Sequence, residues 1–239
     1  MMNSYNQTSQ GANASWEDLP PVVEIRRFPA PMPGNTSLAL DGQALWVGSI
    51  VTNELRAVDL ATGSSIASWS LPGTVFGVLK FGAEMRVMLG QGDDSFRRVF
   101  AFTPQRGLIE NDCFALPDGG TGSHLTLAEP NIFIVQRDLR RFVLLNDHGA
   151  VLRIIDVGAR LYGLARVGKY LYSIATDSEE DASREYLLRT DIEGREPNRI
   201  LGRFPFDAHG LVFDGEKFWA NDRAGQQIVA FVPGIESRD

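Results

Sequence analysis

The feature that most constrains this chain is an internal repeat. Five strand-like segments, each ending in a turn, recur at intervals of about 38–48 residues: VVEIRRFP (22–29), SIASWSLP (65–72), DCFALP (112–117), VLRIIDVG (151–158) and RILGRFPF (199–206). A second apolar segment follows each one: NTSLAL (35–40), VFGVLK (75–80), SHLTLA (123–128), LYGLAR (161–166) and AHGLVF (208–213). Two further strand-like runs complete each unit. Four short strands per unit at this period, with turn signals such as Asp41-Gly42 and Asp214-Gly215 and no sustained helical period, predict propeller blades. A β-sandwich would need two domains to use some 20 strands.

The chain starts with an outermost strand and ends with a third strand. Residues 22–29 therefore complete the last blade and leave no open sheet edge between the chain ends. The expected fold is all-β, a single five-bladed β-propeller over 21–234. Its blades fall at about 35–72, 75–117, 123–158, 161–206 and 208–233 plus 22–29, with a disordered polar tail at 1–20 and a short tail at 235–239.

Composition excludes several function classes. A net charge of −7 and a pI near 5.1 argue against nucleic acid. No apolar run reaches the roughly 18 residues of a membrane span. One cysteine, Cys113, forbids an intrachain disulfide. The first 20 residues lack the basic and apolar stretches of a secretory signal, so the expectation is a cytoplasmic monomer. The sequence has no phosphate loop, dinucleotide fingerprint or Gly-x-Ser-x-Gly elbow.

The blade sequences LALDGQALWVGSIVTNELRAVDLATG (38–63) and GLVFDGEKFWANDRAGQQIVAFVPG (210–234) resemble the GLxxDGxxLWVxDxxxxxIxxxDxxTG blade of several propeller families. These are the NHL repeats, the gluconolactonase family, virginiamycin B lyase and plant-type glutaminyl cyclase. The resemblance covers residues 22–234 and speaks for fold. The five-blade count is most similar to glutaminyl cyclase. The gluconolactonase resemblance implies a divalent metal near the channel mouth, with Asn221 and Asp222 loosely similar to two of its ligands and no residue matching its Glu.

The first strand of each blade lines the central channel. Aligned on their glycine or its equivalent, the five strands place Thr36, Phe76, His124, Tyr162 and His209 in one ring. Two residues earlier a second ring includes Arg160 and Asp207, because residues two apart share a strand face. Two of the chain's three histidines share one ring position, and His148 sits in a hairpin turn. The preferred expectation is a small-molecule enzyme that performs elimination, hydrolysis or cyclisation. His124 and His209 move protons and Tyr162 donates to an oxyanion. Thr36, Phe76, Arg160, Asp207 and Asp222 contact the substrate.

One alternative uses the same histidines with Asp207 or Asp222 to hold an unknown divalent metal; the preferred reading needs no cofactor. Another is a non-catalytic propeller that binds a ligand or protein through rim loops, such as the acidic stretch 176–185 or Gly90–Asp94. Structural polar groups bridged by water are the plain explanation of such a ring. Trp46, Phe133, Tyr172 and Trp219 share a repeat position that suits packing between blades, where blade two carries Arg86 instead.

Overall fold

The computed structural model of the protein describes residues 16–90, 96–178 and 184–235. Strand β1 (Val23–Pro29) opens the chain. Blade one follows as β2 (Asn35–Asp41), β3 (Ala44–Ser49), β4 (Glu54–Asp59) and β5 (Ser65–Ser70). Blade two is β6 (Thr74–Phe81), β7 (Glu84–Gly90), β8 (Arg97–Thr103) and β9 (Gly107–Ala115). A single helical turn, α1 (Pro117–Gly120), leads to blade three: β10 (Ser123–Ala128), β11 (Asn131–Gln136), β12 (Arg141–Leu145) and β13 (Val151–Asp156).

Blade four has a split inner strand, β14 (Arg160–Leu161) and β15 (Ala165–Val167), then β16 (Tyr170–Thr176), β17 (Tyr186–Asp191) and β18 (Arg199–Arg203). Blade five is β19 (Ala208–Phe213), β20 (Phe218–Asp222) and β21 (Gln227–Val232). Each sheet is an antiparallel meander, and β1 pairs with β21 from Val23–Val232 to Pro29–Gln227. The inner strands β2, β6, β10, β15 and β19 contact one another in ring order. The chain is a five-bladed β-propeller closed by its first strand, and among the described residues no helix is long and apolar enough to cross a membrane.

Sequence patterning explains the layers. Middle strands such as NIFIVQ and FWAND are buried on both faces, and the outer strands SIASWS and VLRIID alternate toward solvent. The core consists of five apolar clusters, each straddling two neighbouring blades. Trp46, Phe133, Tyr172 and Trp219 sit in four of them, so the repeated aromatic position does pack blade against blade. Arg86 belongs at the fifth junction. Its guanidinium lies 5.2 Å from the Phe81 ring centre and pairs with Asp112 at 2.9 Å, so the planar cation covers an aromatic neighbour.

The N-terminal expectation needs correction at its end. Residues 1–15 lie outside the described residues. Trp16–Asp18 form a 3-10 turn, Arg203 Nε donates to Leu19 O at 2.9 Å, and Arg203 N donates to Pro20 O at 2.9 Å. Residues 16–20 thus dock on blade four. At the other end Ile235 N donates to Leu201 O, and 236–239 lie outside the described residues.

Candidate active site

The inner strands share an irregularity that aims side chains at the axis. Pairing skips one residue in β2 (Thr36), β6 (Phe76), β10 (His124) and β19 (Gly210), and blade four's inner strand breaks after Leu161. Such bulges redirect a side chain at the cost of one ladder position. Thr36, Phe76, His124, Tyr162 and His209 all line one cavity of about 910 Å³ at the channel mouth. That volume suits a small-molecule site of roughly 300–1,000 Å³.

The two histidines are not backbone equivalents. His124 is the skipped residue of its strand and has a positive φ of 50°, a region where His is enriched among non-glycine residues. His209 remains paired with Asn221, and the bulge moves to Gly210. Gly210 has φ +64°, donates to Tyr162 O at 2.9 Å, and would place a Cβ only 2.5 Å from Thr36 O. Only glycine fits there, which fixes the one-residue offset.

Each histidine is 7% exposed. Arg223 Nη1 lies 2.9 Å from His209 Nε2. A guanidinium has no acceptor, so Nε2 must accept and the neutral ring carries its proton on Nδ1. Nδ1 stands 3.3 Å from an Asp207 oxygen, within ion-pair range but off the line of a good hydrogen bond. Burial lowers the His209 pKa first, and Arg223 and Arg137 lower it further; Asp207 opposes them. The contact with His209 in turn holds Asp207 below the usual carboxylate range.

Burial, with the charges of His209, Arg97 and Arg223, lowers His124 to about 3. Burial and the neighbouring arginines thus favour the neutral form of both imidazoles, which counts against the expected role of either as an acid at rest.

Three other expected site residues stand elsewhere. Asp207 lies behind His209 and not among the residues lining the cavity. Asp222 turns away: one oxygen accepts Gly225 N at 2.9 Å and the other lies 3.5 Å from Arg27 Nη1. Its carboxylate closes the β20–β21 turn, so it contacts no substrate in the cavity. Arg160 sits in β14 opposite Thr176 and does not line the cavity. Asn221 is fully buried with both amide atoms lacking a described partner. His148 is exposed at its hairpin tip beside Asp147. Of the two rim loops, residues 91–95 and 179–183 lie outside the described residues.

Four arginines line the mouth that the sequence reading missed: Arg97, Arg137, Arg141 and Arg223. A signal for two of them was present. Counting four residues on from the repeated aromatic gives Ile50, Arg137 and Arg223 in blades one, three and five, and all three line the cavity. Arg141 is tied to Asp118 at 2.6 Å and to Gln136 at 2.7 Å. Arg97 bonds Gly122 O and lies 3.6 Å over the Phe76 ring.

Glu185 was also missed, because the sequence reads it as the end of a charged loop. It is completely buried behind His209. Oε2 accepts Ala208 N at 2.6 Å, and Oε1 has no partner among the described residues. Burial, reinforced by the Asp207 charge, pushes its pKa up to about 8 against the Ala208 hydrogen bond.

One ligating atom each from Glu185, Asp207 and His209 lie within 4.8 Å of one another, a spacing a metal ion could use. Of the ligands considered from sequence this group contains His209 and Asp207 and lacks His124 and Asp222; Glu185 is the addition. Arg223 opposes a metal here. It holds Nε2 as an acceptor, so the proton sits on Nδ1, the nitrogen turned to Asp207. A metal on Nδ1 needs that proton gone and Arg223 withdrawn.

No protein-family profile matches the sequence, and no curated protein matches it. Solved structures do match. A glutaminyl cyclase from Myxococcus xanthus superposes with a TM-score of 0.65 at 12% identity, covering 88% of this chain and 97% of that one. A PQQ-bound aldose sugar dehydrogenase from Streptomyces coelicolor gives 0.57 at 14% identity, covering 91% and 85%. Virginiamycin B lyase from Staphylococcus aureus aligns at 0.49 and 13% identity over 87% and 98%, a score too low to argue from. At these identities the likeness is one of fold: the chain is built like propellers that include enzymes.

Proposed function

We propose that the protein is a small-molecule enzyme whose site is the channel mouth and whose base is His209. One observation carries this reading: His209 lies between Asp207 at Nδ1 and Arg223 at Nε2, on the wall of a substrate-sized cavity. A neutral imidazole with its tautomer fixed presents a lone pair to the cavity once Arg223 turns to a substrate. Proton abstraction then makes an imidazolium, and Asp207 is already placed to stabilise it. Tyr162, its ring centre 4.9 Å from that of His209, is the donor for a developing oxyanion. His124 is too weak a base at neutral pH and serves as a hydrogen-bonding wall. The chemistry is elimination, hydrolysis or cyclisation begun by proton removal. Enzymes on similar propellers support the class of function and nothing finer.

The test is product formation, read by mass spectrometry, from a panel of hydroxy acids, lactones, esters and N-terminal glutaminyl peptides. A product made by the native protein is expected to fall at least about 100-fold in His209→Gln, the lower range for a general base. It falls less in Asp207→Asn, with kcat affected more than KM, and not at all in His148→Gln. Turnover that survives His209→Gln, or no turnover across the panel, contradicts the reading.

A further inference from the structure

The mouth of this acidic protein is cationic. Among the described residues, four arginines and two aspartates line it, in a chain of net charge −7. The aspartates do not neutralise it evenly. Asp118 is engaged by Arg141 and Gln136. Asp138 meets Arg137 at 3.1 Å, but the two side chains are 69% and 49% exposed, so this is a water-screened pair of little strength. Arg223 has no carboxylate within ion-pair distance among the described residues, and its guanidinium rests on a neutral imidazole.

Geometry joins these cations into one surface. Arg137 and Arg223 hold the same repeat position in blades three and five, one on each side of blade four. The Arg137 guanidinium lies 5.8 Å from the Tyr162 ring centre, that ring packs on His209, and His209 contacts Arg223. The arc Arg137–Tyr162–His209–Arg223 offers guanidinium donors at both ends and a phenol and an imidazole between them. The Asp118 and Gln136 side chains are already committed to Arg141, which leaves Asp138 as the lightly held carboxylate at a mouth richer in guanidinium donors than in acceptors.

We infer that the cavity binds a small oxyanion-bearing ligand, a phosphate or a carboxylate, clamped between Arg223 and Arg137. This rests on the reading of the mouth as a substrate site and names the substrate class. Guanidinium forks match both oxyanions with paired N–H donors, and an excess of positive charge around the cavity concentrates the ligand. The anion draws Arg223 off His209 Nε2. That leaves the Nε2 lone pair of the neutral ring facing the bound ligand.

Calorimetric titration with inorganic phosphate and, separately, malonate tests this. One ligand is expected to bind with unit stoichiometry, and the preferred probe tells phosphate from carboxylate. Arg223→Gln and Arg137→Gln should each weaken binding about tenfold or more, as loss of a charge-assisted contact does. Arg153→Gln, on an outer strand, should bind as the native protein does.

No binding of either anion at millimolar concentration, or equal binding by the Arg137→Gln/Arg223→Gln double variant, overturns the inference. The two readings fail separately. Anion binding without turnover leaves this inference standing and ends the catalytic one. His209-dependent turnover of an uncharged substrate, without anion binding, does the reverse.

Discussion

A chain lacking residues 1–29 is expected to lose the cooperative unfolding of the full protein, or to melt at least 15 °C lower. Among the described residues, the β1–β21 ladder is the strand pairing that joins the first and last segments of the ring. Its removal strips Val22 and Phe28 from two blade junctions. Full burial of such side chains contributes about 1.5–3 kcal/mol each. It also exposes β21 as an unpaired edge. Together with six lost residue pairs this approaches the ~5–15 kcal/mol that holds an ordinary domain together. Differential scanning calorimetry of the truncated and full chains decides it. An unchanged melting temperature would mean that the ring does not depend on this closure.

The second large effect is on pH stability and comes from Glu185. Unfolded, this carboxyl ionises near 4.5; folded, it keeps its proton up to about 8. Between those values the folded state binds more protons. Stability is fully present below the lower value and is lost as pH rises toward the upper one, by about 1.4 kcal/mol per pH unit. By pH 8 the loss is on the order of 4 kcal/mol, or about 10 °C in melting temperature. Glu185→Gln mimics the protonated acid and should escape that loss. His124 acts in the opposite sense, since its lowered pKa costs stability as pH falls below 6.5. Comparing native protein and variant at each pH cancels that contribution. Melting curves from pH 5 to 8.5 should diverge steadily, with the variant more stable at the alkaline end. Parallel curves would contradict the account of Glu185.

The limits of sequence reading are visible at particular residues. The blades were legible because four short strands and a turn recur, and because Val22–Pro29 lacked a blade of its own. The ring Thr36, Phe76, His124, Tyr162 and His209 was legible from the repeat and from the glycines that follow Phe76, Tyr162 and His209, and it does line one cavity. What the alignment hid was the shifted bulge in blade five. That shift depends on Gly210 meeting the Thr36 carbonyl across the chain closure, a contact between residues 174 positions apart. Arg137 and Arg223 were hidden for a related reason. Their position repeats, but a hairpin's first residue reads as solvated surface until the mouth it overhangs is known. Asp222 misled because its neighbour Asn221 suggested a ligand pair, whereas Gly225 two residues beyond Arg223 signals a turn that a carboxylate caps. The charge states of His124 and Glu185 follow from complete burial, which sequence spacing does not report.

The central claim is that His209 rests neutral, protonated on Nδ1, with Nε2 accepting from Arg223. Long-range 1H–15N spectroscopy at pH 7 measures this directly, and a chain with three histidines is simple to assign using His209→Gln and His148→Gln. The account predicts a neutral His209 ring in the Nδ1–H form, with Nε2 unprotonated. An imidazolium at pH 7, or a neutral ring protonated on Nε2, would contradict it, because neither can accept the Arg223 hydrogen bond on which the site's chemistry depends.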